Sequence, residues 1–148
     1  MLNHDQFWHY ACQLYRNKPM EEVLLHFQDA HNKNVNLCLL LDYMAVLNKQ
    51  LSLADVNALE QRAEQLDAQL LSPYRTIRRT LKDAHSHYPS YTSARACLLK
   101  AELELEKLQQ HYLVEYANAC STTHTPHANN LALYLPESLV QRFLSAKS

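Results

Sequence analysis

The stretch LLHFQDAHNKNVNLCLLLDYMAVLN, residues 24–48, decides how this chain folds. Over residues 37–47 only Asp42 interrupts an apolar run, so a helix written here is hydrophobic on every face. Such a helix is either a membrane span or the centre of a bundle. A bilayer needs roughly 20 apolar residues, and this run is too short. The expectation is a buried central helix over residues 35–47, entered through a polar joint that runs from Gln28 and Asp29 to Asn36.

Working outward toward the N-terminus, Met20, Val23, Leu24 and Phe27 recur at helical spacing behind Pro19, a residue suited to a first helical turn. Asn3 and Gln6 form a capping pair for a helix over residues 4–16 that carries Phe7, Trp8, Ala11, Cys12, Leu14 and Tyr15. On the other side, Ser52 and Asp55 make a capping signature, after which Val56, Leu59, Ala63, Leu66 and Leu70 step by three and four. Ser72-Pro73 reads as the start of a further helix with Tyr74, Ile77, Leu81 and Ala84 turned inward. A long helix over residues 93–118 follows, with Leu98, Ala101, Leu105, Leu108 and Tyr112 as its expected seam.

The polar segment CSTTHTPHANN, residues 120–130, reads as an exposed linker, and residues 131–135 as an extended apolar piece. Pro136 then opens a short last helix bearing Leu139, Val140, Phe143 and Leu144. No segment has the pattern of a strand. The fold class expected is all-α, a bundle of about six to seven helices around the central one. Its organisation is a bundle domain over residues 1–119, a linker, and a C-terminal apolar segment over residues 131–148 that docks back on the bundle.

Composition narrows the chemistry. The 148 residues suit one domain, which buries about two thirds of its unfolded surface. Glycine is absent, which excludes glycine-rich phosphate loops and dinucleotide fingerprints. Helix ends must therefore use asparagine, and Asn17, Asn32, Asn34 and Asn48 fall where ends are expected. A net charge of -1 gives no field favouring nucleic acid or an anionic membrane. The N-terminus has no signal-peptide pattern, and Cys12, Cys38, Cys97 and Cys120 never form a close pair. Reduced thiols, the first three buried, and a cytoplasmic setting are expected.

Several motifs together resemble one family. Phe7-Trp8 is followed by Leu14-Tyr15; Gln28-Asp29 by Val35-Asn36 and the run Leu39-Leu40-Leu41. Pro73, Arg75, Arg78, Arg79, Leu81 and Lys82 make the pattern PxRxxRRxLK, and residues 102–106 read ELELE. The chain is similar in these respects, over residues 6–116, to an uncharacterised, mainly gammaproteobacterial family of unknown function. That family often carries glycine between the Gln-Asp and Val-Asn pairs, where this chain has Asn32 or a neighbour. The resemblance implies a bacterial, cytoplasmic, helical protein and brings no activity, substrate or cofactor with it.

Two constellations stand out as sites. One is the joint, Gln28, Asp29 and Asn36, near Trp8 and Tyr15. These polar groups either satisfy buried backbone or line a small pocket. The other is a basic face in which Arg75, Arg78, Arg79 and Lys82 fall at i, i+3, i+4 and i+7. Guanidinium forks there match oxyanions or an acidic partner, unless they pair with Glu102, Glu104 or Glu106. His85 with His87, and His124 with His127, lack metal-site spacing, and no nucleophile–base set assembles. The expectation is a non-enzymatic protein-interaction or regulatory module without cofactor, metal or membrane, whose partner is another protein, a second copy included. The alternative is a sensor or carrier of a small anionic ligand bound at the joint.

Overall fold

Helix α3 (Val35–Val46) is buried at nine of its twelve residues, as its all-round apolar sequence requires. The computed structural model describes residues 1–148. Around α3 lie α1 (His4–Arg16), α2 (Lys18–His31), α4 (Leu53–Leu66), α6 (Tyr91–Ala119) and α7 (Glu137–Lys147). A π-helical turn (Asp67–Leu71) joins α4 directly to α5 (Ser72–His85), so seven α-helices form six rods. The fold is an all-α bundle. α3 is its buried axis, and the 29-residue α6 touches α1, α3, α4 and α5. Leu37, Leu40 and Leu41 are each fully buried, which stabilises the fold by about 1.5–3 kcal/mol per side chain.

Asparagine does the work that glycine does elsewhere. After α2, Asn32 takes the left-handed conformation at φ 53°, and after α3 Asn48 does so at φ 60°. Asn34 and Asn17 are extended instead. Asn34 caps α3, its Oδ1 accepting the Leu37 N–H at 2.8 Å. Asn3 and Ser52 cap α1 and α4 as their patterns demand, accepting from Gln6 at 2.9 Å and Asp55 at 3.1 Å.

The one charge in the apolar run is held from two sides. Asp42 is buried; Tyr10 on α1 donates its hydroxyl to one carboxylate oxygen, and Lys147 at the end of α7 lies 2.8 Å from it. Helix α7 packs on α2, and Leu131, Leu135, Leu139, Val140 and Phe143 belong to the same hydrophobic core as α3.

Several local expectations are corrected. Ser72 caps nothing, because the chain is already helical when it arrives there through the π turn. No residue of α5 is buried; Ile77, expected inward, is 51% exposed. The seam of α6 is rotated from the leucine stripe. Leu108 and Tyr112 are exposed, while Glu102, Gln109, Gln110, Leu113, Val114 and Ala117 face inward. Polar side chains fit there because internal partners satisfy them, Gln110 Oε1 excepted. Cys97 is exposed, Cys12 half-buried and Cys38 buried, all of them free thiols.

The C-terminal connection is also less plain than a linker. A two-residue strand, β1 (Lys49–Gln50), pairs antiparallel with β2 (Thr123–His124), Lys49 opposite His124. Asn130 is fully buried. Its Oδ1 accepts from Leu51 N–H at 2.8 Å, and its Nδ2 donates to Lys49 O at 2.9 Å. Residues 131–135, expected to be extended, begin with a 3-10 turn (Leu131–Leu133).

Candidate functional site

The polar joint becomes an ordered chain of side-chain amides. Gln109 on α6 donates from Nε2 to Ala63 O at 3.1 Å and to Asp67 Oδ1 at 3.0 Å. Its Oε1 accepts from Asn36 Nδ2 at 2.7 Å and from Asn34 Nδ2 at 3.3 Å. Asn34 Nδ2 also reaches Asp67 Oδ2 at 2.7 Å, and the Asn34 N–H donates to the Tyr134 hydroxyl at 2.9 Å. Asn36 Oδ1 in turn accepts from Gln110 Nε2 at 3.0 Å. Asp67 opens the π turn, so the irregular backbone holds a carboxylate against the joint; π turns recur at functional positions.

Outside this network lies a cleft of about 950 Å³ between the end of α2 and the π turn with α5. Its walls include Gln28, Asp29, Asn32 and Lys33 on one side and Asp67, Arg75, Arg78 and Arg79 on the other, with Tyr134 between. Gln28 and Asp29 from one constellation and Arg75, Arg78 and Arg79 from the other thus line one concavity. The arginines differ in state. Arg75 Nε lies 3.6 Å from Glu102, and Arg78 hydrogen-bonds the other oxygen of the same buried carboxylate. Arg79 is exposed and makes no ion pair within the chain, nor does Asp29. Lys33 sits over the Tyr134 ring at 4.7 Å and donates to Tyr134 O at 3.3 Å. Burial pushes the Tyr134 phenol well above its usual range.

A second, smaller groove of about 190 Å³ lies between α1, α3 and α6, on the other side of Gln28. Trp8, Cys12, Tyr15 and Leu39 supply its apolar wall, and Asn36, Glu106 and Gln110 its polar edge. Burial, then the charges of Glu106 and Glu21, push the Tyr15 hydroxyl up to about 12. Burial also raises the Glu106 carboxyl above the usual range, helped by the negative charge of Glu102 and opposed by Arg75 and Arg78.

Each singled-out residue therefore has a place. Gln28 lines both cavities; Asp29, Arg75, Arg78 and Arg79 line the cleft; Trp8, Tyr15 and Asn36 line the groove. Lys82 is exposed on α5 and borders neither. The residues not anticipated are Asp67, Gln109, Gln110 and Tyr134; Asn34 is expected at a helix end, not as a member of the network. Gln109-Gln110 interrupting an otherwise leucine-rich helix was the available signal. No three His, Cys, Asp or Glu side chains come together as metal ligands would, and no helix is long and apolar enough to cross a membrane.

A family model described as a protein of unknown function, DUF2390, matches residues 6–113, and the chain belongs to that family. No curated protein and no solved structure matches it.

Proposed function

We propose that this is a cytoplasmic, non-enzymatic binding protein whose ligand, a small polar molecule bearing an anionic group, occupies the cleft between α2 and α5. One observation carries the reading: Gln28, Asp29 and three arginines, far apart in sequence, line one concavity, and Asp29 and Arg79 have no ion-pair partner in the chain. Its volume falls within the roughly 300–1,000 Å³ of ligand pockets. Arg79 and the outer edge of Arg78 supply donors for an oxyanion, and Asp29 an acceptor for a hydroxyl or amine on the same molecule. Glu102 anchors Arg75 and Arg78, which fixes their forks in advance of binding.

The reading is tested by thermal-shift screening with inorganic phosphate, organic phosphates and polycarboxylates. A stabilising compound whose effect is weakened by Arg79→Ala and by Asp29→Ala supports it. An anion that acts equally on wild type and both variants counts against it.

A second reading rests on α5. Between Ser72 and Ala101 no residue is buried, so α5 and the first half of α6 project from the body as a helical hairpin. Ile77 and Lys82 on this arm suit a protein partner or a second copy of the chain. Reversal of Lys82, with Ile77→Asp, then abolishes association measured by light scattering or co-purification, while Arg79→Ala alone does not.

A further inference from the structure

The amide chain has a direction, and that direction leaves one atom unmatched. Ala63 O and the two Asp67 carboxylate oxygens serve as acceptors, so Gln109 turns its Nε2 to Ala63 O and Asp67 Oδ1 and its Oε1 to Asn36. Asn36 then presents Nδ2 to Gln109, which leaves its Oδ1 for Gln110. Gln110 is forced to answer with Nε2. Flipping any one amide would set oxygen against oxygen. The chain of donors ends at Gln110 Oε1, which is buried and has no hydrogen-bond partner. Gln110 is 2% exposed, and it lines the groove between α1, α3 and α6. A buried acceptor left without a donor is costly, so a ligand that supplies the donor gains by contrast.

One helical turn away on the same face of α6 stands Glu106, also lining the groove. Its carboxylate forms no ion pair; the nearby Arg75 and Arg78 are taken by Glu102. Trp8, Tyr15, Leu39 and Leu103 line the rest of the groove, and the Lys107 ammonium already lies over the Trp8 ring, 4.9 Å from its centre. Aromatic faces attract cations, and two acceptors a turn apart match a group with several N–H donors.

We propose that this groove is a binding site for a small amine, an apolar or aromatic body carrying an ammonium group that donates to Gln110 Oε1 and pairs with Glu106. The body lies on Trp8 and Leu39. The groove, about 190 Å³, is of a size to hold one ring, since a cavity of about 150 Å³ accepts benzene. Burial that holds the Glu106 carboxyl above its usual range is offset once a cation sits beside it. The site stands apart from the anion cleft, sharing only Gln28 with it, and does not depend on that reading.

The test uses three probes built on one phenyl ring and a short chain: phenethylamine, 2-phenylethanol and phenylacetate. Binding to the full chain is followed by the fluorescence of Trp8, the only tryptophan in the sequence. Phenethylamine is expected to bind best, the alcohol about tenfold more weakly, and the carboxylate not measurably. Glu106→Gln, which keeps the shape and removes the charge, is expected to lower amine affinity about tenfold and leave the alcohol unchanged. Gln110→Met weakens both. Because that change also breaks the bond to Asn36, Leu103→Ala on the exposed wall provides an independent variant and weakens all binding without touching the network. Equal binding of amine and carboxylate, no binding of any probe, or amine binding indifferent to Glu106→Gln would each overturn the assignment.

Discussion

Gln109 Nε2 and Asp67 Oδ1 meet at 3.0 Å, so that the middle of α6 is fastened to the first residue of the π turn. This contact holds the floor between the two cavities: Asn34 and Asp67 face the cleft, Asn36 and Gln110 the groove, and Gln109 ties them together. It also explains why the inner face of α6 is polar where a bundle helix is ordinarily apolar.

Gln109→Leu therefore removes its bonds to Ala63 O, Asp67 Oδ1, Asn36 and Asn34 at once, leaving Asn34 Nδ2 and the Asp67 carboxylate only each other. Each buried polar group left unmatched costs about 1–3 kcal/mol, and a total loss of about 3 kcal/mol or more is expected. Leu108→Ala, next in sequence but exposed, should change stability by about 0.5 kcal/mol or less. Urea unfolding of the two variants gives the comparison. A reversed order would mean that the leucine stripe, not the amide row, is the packed face.

Asp42 makes a second stability prediction. Tyr10→Phe removes the hydroxyl that donates to this buried carboxylate, and Lys147→Ala removes its countercharge. Hydrogen bonds to charged groups contribute about 1.5–3 kcal/mol, and each variant should lose an amount in that range. The two losses should not add, since both act on one carboxylate. Strict additivity in a double-mutant cycle would show that Tyr10 and Lys147 act independently.

Glu106 gives a pH dependence. Burial raises its carboxyl in the folded chain, so folding favours the protonated form. Below the unfolded value, about 4.3, the group is neutral in both states and carries no penalty. As pH rises from there through the raised folded value, the folded chain holds a proton that the unfolded chain has released, and stability falls. Glu106→Gln should thus be more stable than wild type at pH 7 and equal to it near pH 4. Equal stability at both pH values would contradict the burial assigned to this carboxylate.

The projecting hairpin predicts where a protease cuts first. Tyr88 lies in the turn between α5 and α6 at 54% exposure, and no residue from Ser72 to Ala101 is buried. The Tyr88–Pro89 bond resists chymotrypsin, so limited digestion should cleave first after Tyr91, at the start of α6, before any site in α1 to α3, and the nicked chain should keep its helical signal. First cleavage after Trp8 or Tyr15 of α1 would instead contradict a projecting hairpin.

Much of this architecture was legible because apolar spacing and caps are local. Asn3, Ser52 and the uninterrupted run of α3 announce their helices without reference to the rest of the chain. Of the polar residues that break the greasy stretch, Asn36 enters the amide network, while Gln28 and Asp29 stay outside it and line the cleft. What escaped depends on distant partners. Leu108 and Gln109 are neighbours, and only the positions of Ala63 O and Asp67 decide which one turns inward. Asn130 sits in a polar, linker-like segment, yet it is fully buried because Gln50, Leu51, Lys49 and Leu41 offer it partners. The meeting of Asp29 with the arginines of α5 likewise arises from the path of the chain through the π turn.

The measurement that bears most directly on the account is a thermal-shift titration of small anionic compounds against wild type, Arg79→Ala and Asp29→Ala. A ligand of the cleft at a hundredfold excess over its Kd stabilises by about 2.7 kcal/mol, a rise of roughly 5–10 °C for a chain of this size. The account predicts at least one compound that produces such a rise in wild type, with the rise reduced in both variants whose own melting points are unchanged. If no anionic compound stabilises the protein, or if the rise survives intact in both variants, the cleft is not its binding site.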